Sequence, residues 1–107
     1  MRAVRIVDGT PTLETLAGPE GDGVCVKVAS SSICGSDLHL LDGGIAEGMI
    51  LGHEFCGIAP DGTPVAVEPM AGCGSCWACD EGHLSFCSNG AIFYGIGLPG
   101  GMADAVE

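Results

Sequence analysis

Four of the seven cysteines lie close together in one short, glycine-rich segment of the chain. They are Cys73, Cys76, Cys79 and Cys87 in the sequence CGSCWACDEGHLSFC. A thiolate sulfur lies about 2.3 Å from a zinc ion that it binds, so four ligands from so short a segment require sharp backbone turns. The neighbouring glycines permit such turns. Residues 72–88 are therefore predicted to form a lobe around a structural zinc ion that has no open coordination position.

Two other chemistries compete with zinc for these cysteines. Two successive two-residue gaps also begin the bacterial iron–sulfur pattern, but that pattern continues with three residues and Cys-Pro. Here seven residues separate Cys79 from Cys87, and Ser88 stands where that pattern has proline. Disulfides are typical of small secreted chains, but the cysteine count is odd and the N-terminus does not resemble an export signal. His83 could replace a thiolate, although four cysteines already complete a tetrahedral site, so four-cysteine zinc is the favoured interpretation.

Length and charge limit what the chain can be. Its 107 residues suffice for one domain, 1–107, and not for a second domain of ordinary size. The formal net charge of −11, with 14 acidic against 3 basic residues, repels phosphate backbones and anionic lipid surfaces. No apolar run approaches the roughly 20 residues that span a bilayer, and no targeting peptide is recognisable. We therefore expect no nucleic-acid or membrane partner, and a location in the reducing cytoplasm.

The pattern of apolar residues and turns predicts a mainly β fold. Short β-branched runs bounded by glycine and proline predict strands at 3–7, 24–28, 49–59 and 64–69, and a last strand within 100–107. Pro60 to Thr63 favours a tight hairpin between the third and fourth of these strands. Cys25 and Cys56 lie in predicted strands and are expected to act as small packing residues.

Residues 30–44 are predicted to contain one short helix with reactive side chains near its start. Ser36 or Asp37 is expected to cap the helix, and a glycine at 43 or 44 to end it. A helix N-terminus favours the thiolate form of a nearby cysteine, so Cys34 is a candidate metal ligand or nucleophile. Ser36 and His39 are three residues apart and could pass a proton along one helical face. The local pattern alone favours a cap and a solvent-facing histidine.

Two ionisable residues interrupt the apolar run at 49–59. His53 and Glu54 require partners if they are buried, because an unpaired buried charge is costly. Taken alone, His53 fits a core histidine with its hydrogen bonds satisfied. Alternation along a strand places the two side chains on opposite faces, so both can bind one metal only where the backbone is distorted. Of the two, His53 is the predicted ligand.

Four motifs, in the same order and spacing, resemble the zinc-dependent alcohol dehydrogenases of the medium-chain dehydrogenase/reductase family. They are ICGSDLH at 33–39, LGHEFCG at 51–57, CGSCWACDEGHLSFC at 73–87 and PGGMADAV at 99–106, and they cover essentially the whole chain. The resemblance implies the N-terminal GroES-like part of the catalytic domain. That fold is a partly open β-barrel with a short helix and a protruding structural zinc lobe.

The resemblance also implies roles for individual residues. Cys34 and His53 match ligands of a catalytic zinc ion, and Glu54 matches the adjacent carboxylate near that metal. Asp37 matches the partner that orients the ligating histidine. The four cysteines of the lobe match the ligands of the structural zinc.

The reaction that the resemblance implies is oxidation of an alcohol or polyol, with hydride transfer to the nicotinamide cofactor NAD(P) beside the catalytic zinc. Ser36 and His39 match the relay that carries the alcohol proton outward. The chain has no recognisable Rossmann domain, because its glycines at 95–101 do not form the nucleotide-binding turn after a strand. We therefore expect zinc mainly in the lobe and no turnover by these residues alone.

The alternative function is a stand-alone, zinc-stabilised binding module without catalysis. If the chain is instead part of a dehydrogenase, apolar residues that would pack against its further domain are expected to drive self-association despite the acidic charge. Ile92, Phe93 and Val106 are the candidates for this surface.

Overall fold

The structure is a computed structural model that describes residues 1–107. Its strands are β1 (Arg2–Val7), β2 (Thr10–Thr15), β3 (Val26–Ser31), β4 (Phe55–Ile58), β5 (Pro64–Ala66), β6 (Met70–Ala71), β7 (Ile92–Tyr94), β8 (Gly97–Leu98) and β9 (Ala105–Val106). The helices are α1 (Gly35–Asp42) and α2 (Trp77–Asp80), and a 3-10 turn covers Leu84–Phe86. Neither helix has the length and apolar content needed to cross a membrane. The mainly β prediction is confirmed.

The strands form three small sheets. β1 pairs with β2, the order β5-β4-β3-β9 makes an antiparallel sheet, and β6-β7-β8 makes the third. Isolated bridges from Ala3 to Ala103 and from Arg5 to Ile50 connect β1 to later parts of the chain. The sheets are thus connected but do not close into a continuous barrel, which confirms the predicted partly open form.

No strand is predicted from the sequence between residues 7 and 24, so the hairpin of β1 and β2 differs from the prediction. Asp8 and Gly9 have positive φ angles of 50° and 72°, as the two central residues of a type I′ turn require. Asp-Gly between extended runs is a strong hairpin signal for this reason. The carboxylate of Glu47 accepts hydrogen bonds from both backbone N–H groups, at 3.0 Å each, which stabilises the turn.

The predicted strand at 24–28 is displaced along the chain. β3 begins at Val26 and continues to Ser31, while Val24 precedes it and is 64% exposed. The register with β4 shifts between Val28 and Ser30, which is a β-bulge with Ala29 as the extra residue.

The predicted strand at 49–59 is interrupted. Gly52 has a φ of 99°, and residues 53–54 form a bend, so only Phe55–Ile58 is a strand. The tight hairpin that follows is confirmed, since Ile58 lies opposite Pro64 and Gly62 has a φ of 88°.

The hydrophobic core is small. Only 16 of the 107 residues are buried, and the main buried cluster contains Ile6, Ala46 and Leu51. Phe55 packs edge-on against Tyr94, with ring centroids 6.0 Å apart. A core of this size provides limited stability, so metal binding would contribute substantially to folding.

The apolar surface differs from the one that the sequence suggested. Val106 is only 5% exposed and lies in β9 opposite Val26 of β3, so its predicted exposure is wrong. Ile92 is 47% exposed and Phe93 is half-buried. The most exposed aromatic side chains are Trp77 and Phe86, both in the lobe.

Candidate metal centres

The four cysteines of the lobe converge on one point. Their Sγ atoms all lie within 4.8 Å of one another, and those of Cys73 and Cys79 are 4.0 Å apart. Tetrahedral coordination with zinc–sulfur bonds of about 2.3 Å requires sulfur atoms about 3.8 Å apart. Both the donor type and the spacing of these side chains therefore fit a zinc ion.

Two short helical turns position these sulfurs. Cys76 is the N-cap of α2, which contains Cys79, and Cys87 follows the 3-10 turn. The helix α2 was not expected from the sequence. Gly72 passes so close to this helix that a Cβ atom on it would lie 2.5 Å from Cys79 Sγ. The sulfur of Cys79 therefore has room only because residue 72 has no side chain.

Without a metal, the thiols of the lobe differ in acidity. Hydrogen bonds from the hydroxyl and the backbone N–H of Ser75, both 3.5 Å long, are the main causes that lower the pKa of Cys73 to about 5. Backbone N–H donors lower the pKa of Cys76 to about 7. The N–H of Gly74 acts to lower the pKa of Cys79, but burial and the neighbouring thiols outweigh it and raise that pKa to about 11. A metal that binds all four sulfurs must therefore displace at least the Cys79 proton at neutral pH.

A second cluster of metal-binding side chains lies between α1 and β4. The sulfur of Cys34, a ring nitrogen of His53 and a carboxylate oxygen of Glu54 all lie within 4.8 Å of one another. Cys34 is the N-cap of α1, and the other two residues form the bend before β4. This bend is the backbone distortion that allows both side chains to face one point. A set of three such donors leaves a coordination position open, as catalytic zinc sites do.

Asp37 connects two members of the second cluster. It is only 2% exposed, and its carboxylate accepts a hydrogen bond of 2.9 Å from the backbone N–H of Cys34. Its other oxygen, Oδ1, lies 3.4 Å from Nδ1 of His53. Both of these buried atoms lack any other partner. With Nδ1 directed at the carboxylate, Nε2 is the nitrogen that remains for a metal.

The cap of α1 differs from the prediction. Cys34 is the N-cap, and Asp37 occupies the third helical position and bonds back to it, so Ser36 does not cap the helix. The end of the helix is as predicted, with Gly43 as C-cap and Gly44 at a φ of 70°.

Ser36 and His39 lie on the exposed side of α1. Ser36 Oγ is 3.4 Å from Nε2 of His53, and no hydrogen bond joins it to His39. The hydroxyl therefore lies at the nitrogen that would face a metal. The relay from Ser36 to His39 stays a prediction.

The other candidate side chains belong to neither cluster. His83 is exposed at the start of the 3-10 turn. Cys25 is half-buried, and Cys56 is exposed on β4, so the expected packing role of Cys56 is wrong.

The glycine-rich segment at 95–101 supports the second cluster. The N–H groups of Gly100 and Gly101 donate to backbone carbonyls of the segment 50–52, at 2.8 and 2.7 Å. A Cβ atom on Gly100 would clash with that segment, so the close approach requires glycine. Residues 95–100 have the G-x-G-x-x-G spacing, but they follow β7, include the two-residue strand β8 and open no helix. These glycines therefore hold the backbone just before His53.

The family can be identified by comparison with known proteins. The family described as "Alcohol dehydrogenase GroES-like domain" matches residues 20–107, a range that contains both clusters. The chain belongs to this family. Its resemblance to the zinc-dependent, medium-chain alcohol dehydrogenases is confirmed.

Individual members of the family cover most of the chain. Sorbitol dehydrogenase of Bacillus subtilis is 41% identical over 93 residues, which are 70% of this chain and 26% of that protein. L-threonine 3-dehydrogenase of Pyrococcus horikoshii is 34% identical over 90% of this chain and 32% of its own length. The crystal structure of galactitol-1-phosphate dehydrogenase from Escherichia coli superposes with a TM-score of 0.82 at 33% identity, over 99% of this chain and 35% of that one. The chain thus spans about a quarter to a third of the length of these relatives.

One residue beside the second cluster did not emerge from the sequence. Ser32 Oγ donates a hydrogen bond to Oε2 of Glu54, and the Ser32 backbone N–H donates to the Glu54 carbonyl at 2.9 Å. Three serines precede Ile33, and the sequence does not show which hydroxyl faces the cluster. That choice depends on the register of β3 and β4.

Proposed function

We propose that residues 1–107 form the N-terminal, zinc-binding catalytic portion of a zinc- and NAD(P)-dependent dehydrogenase that oxidises alcohols or polyols. The observation that carries this proposal is the convergence of Cys34, His53 and Glu54 in a chain that also contains a four-cysteine lobe. Membership of the alcohol dehydrogenase GroES-like family supports it. The similarity to sorbitol dehydrogenase supports a polyol as the substrate.

The lobe has a structural role in this proposal. Four thiolates fill a tetrahedral zinc site and leave no position for a substrate. Binding energies of about 10–16 kcal/mol in small zinc modules act as folding energy. In a chain with so small a core, the lobe would depend on its metal to stay folded.

The second cluster has the catalytic role. Cys34, His53 and Glu54 would hold a zinc ion, which supplies a Lewis acid for the alcohol oxygen when it is bound. Asp37 keeps the imidazole of His53 in the orientation that leaves Nε2 free, because it faces Nδ1. In the proposed relay, the Ser36 hydroxyl would accept the alcohol proton and release its own proton toward His39.

Transfer of that proton to solvent completes the proposed relay. His39 lies one helical turn beyond Ser36 and is exposed, so its imidazole can pass the proton to water. The two side chains make no direct hydrogen bond, so a bridging water or hydroxyl is required between them.

We also propose that these residues alone do not oxidise alcohols. Their only G-x-G-x-x-G spacing supports the segment before His53 and opens no helix that could bind a pyrophosphate. The 107-residue chain with sorbitol and NAD⁺ or NADP⁺ should therefore give no cofactor reduction. Substantial turnover would contradict this part of the proposal.

A chimera tests the catalytic role directly. Residues 1–107 would replace the corresponding part of Bacillus subtilis sorbitol dehydrogenase, which then supplies the rest of the enzyme. We expect sorbitol-dependent cofactor reduction that His53→Ala abolishes. Cys25→Ser is the matched control, because Cys25 belongs to neither cluster. A folded, zinc-loaded chimera without activity would favour a binding module, and activity that survives His53→Ala would refute the assigned role of the second cluster.

A further inference from the structure

Ser32 makes two contacts with Glu54 that extend the pairing of β3 and β4. The last paired residues are Ser31 and Phe55, so the next pair along the register is Ser32 opposite Glu54. The backbone bond from the Ser32 N–H to the Glu54 carbonyl, at 2.9 Å, confirms this pairing. Side chains of directly opposed residues project from the same face of a ladder. The Ser32 hydroxyl is therefore held beside the Glu54 carboxylate by the backbone.

The bulge in β3 determines this pairing. Val28 lies opposite Gly57, and Ser30 lies opposite Cys56, so one extra residue enters β3 between them. If the two strands paired regularly from Val28 onward, with no bulge, Ser32 would lie opposite His53. Bulges next to active sites commonly re-aim side chains in this way.

The hydrogen bond restricts a side chain that would otherwise be mobile. Glu54 is exposed and has three rotatable bonds, and ordering such a side chain on a metal costs conformational entropy. Ser32 Oγ occupies only Oε2 of the carboxylate. Oε1 has no hydrogen-bond donor in the chain, so it is the oxygen that is free to bind a metal.

We propose that Ser32 is a positioning residue for the second metal centre, which orders the Glu54 carboxylate so that its free oxygen faces the metal. This inference rests on the proposed function of the Cys34–His53–Glu54 cluster. Ser32 itself contributes no ligand. Partners that orient metal ligands typically change metal affinity by about 10–100-fold when they are removed. Because this partner is a single neutral hydroxyl, we expect an effect of about ten-fold.

The test is a cobalt titration of the 107-residue chain with zinc already in the lobe. Zinc binds such sites more tightly than cobalt, so the lobe retains zinc while Co²⁺ enters the second centre and gives a visible spectrum. We expect Ser32→Ala to weaken Co²⁺ binding by about ten-fold and Ser32→Thr, which keeps the hydroxyl, to restore it. Ser30→Ala is the matched control, since Ser30 is exposed on the same strand and makes no side-chain hydrogen bond. The zinc content of the lobe reports that each variant is folded.

Comparison with Glu54→Ala shows whether Ser32 acts through the carboxylate. A variant that combines Ser32→Ala with Glu54→Ala should bind Co²⁺ no more weakly than Glu54→Ala alone. A further loss in the double variant, or an unchanged affinity in Ser32→Ala, would overturn the role of Ser32 while the metal centre stands. If the wild-type chain binds no Co²⁺ beyond the lobe, or if His53→Ala leaves the spectrum unchanged, the proposed centre itself is refuted and the role of Ser32 with it.

Discussion

Gly72→Ala should weaken zinc binding by the lobe although residue 72 is not a ligand. The added Cβ would lie 2.5 Å from Cys79 Sγ and 3.2 Å from Cδ2 of Leu84. Normal contact distances are about 3.5–4.0 Å, so the sulfur would have to move by about 1 Å. A metal-bound sulfur cannot make that movement, because its bond to zinc is fixed at about 2.3 Å. Overpacking of this kind typically costs about 1–3 kcal/mol, which is roughly 5- to 150-fold in Kd.

Competition for zinc with a chromophoric chelator measures this Kd directly. Gly18→Ala is the control, because a Cβ atom on Gly18 would have no other atom within 4 Å and its φ angle is one that alanine adopts freely. The cost should be smaller in the metal-free chain, where the Cys79 side chain can rotate away from the new methyl group. A folded Gly72→Ala variant with the Kd of the wild type would refute the described packing of Gly72 against the sulfur site.

Three further predictions concern the second cluster, the acidity of the lobe and the surface. Asp37→Ala should lower the free energy of unfolding by about 1–3 kcal/mol in urea denaturation, because the half-buried N–H of Cys34 loses its acceptor. Asp42→Ala, at an exposed position on the same helix, should change that free energy little, and equal effects of the two substitutions would contradict this role of Asp37. The apparent zinc affinity of the lobe should rise between about pH 5 and 9, because zinc binding releases protons from the thiols. The rise should be less steep above about pH 7, where Cys76 is already deprotonated and Cys79 still releases a proton. A zinc affinity independent of pH would contradict these acidities. We also propose self-association through exposed apolar side chains, which Ile92→Asp should reduce; light scattering from a clean monomer at high concentration would refute it.

The metal centres could be predicted because their residue types and spacings constrain the chemistry. The four cysteines of the lobe converge on one point, as expected when one short segment contains four thiolate ligands. In the second cluster, Cys34 is far in sequence from the adjacent residues His53 and Glu54, and only the family resemblance connected them. Their actual proximity depends on the bend at 53–54, which interrupts what the apolar pattern predicts as one continuous strand.

The errors in the predicted fold have specific physical causes. The hairpin at Asp8 and Gly9 has a recognisable turn signal, but Pro11, two residues after Gly9, counts against a strand in that position. The start of β3 could not be located from β-branched residues, because Val24 has the same propensity as Val26 but lies outside the pairing with β9. The contact of Ser32 with Glu54 depends on a bulge, and a shift of one residue in register changes every cross-strand neighbour.

Zinc content per purified chain, measured by elemental analysis with Cys79→Ser and Cys25→Ser beside the wild type, tests the four-sulfur centre most directly. The wild type and Cys25→Ser should each contain about one equivalent of zinc, and Cys79→Ser should lose it, because three thiolates do not complete a structural zinc site. Equal zinc in all three proteins, or a wild-type chain whose lobe cysteines are paired as disulfides without metal, would contradict the proposed centre.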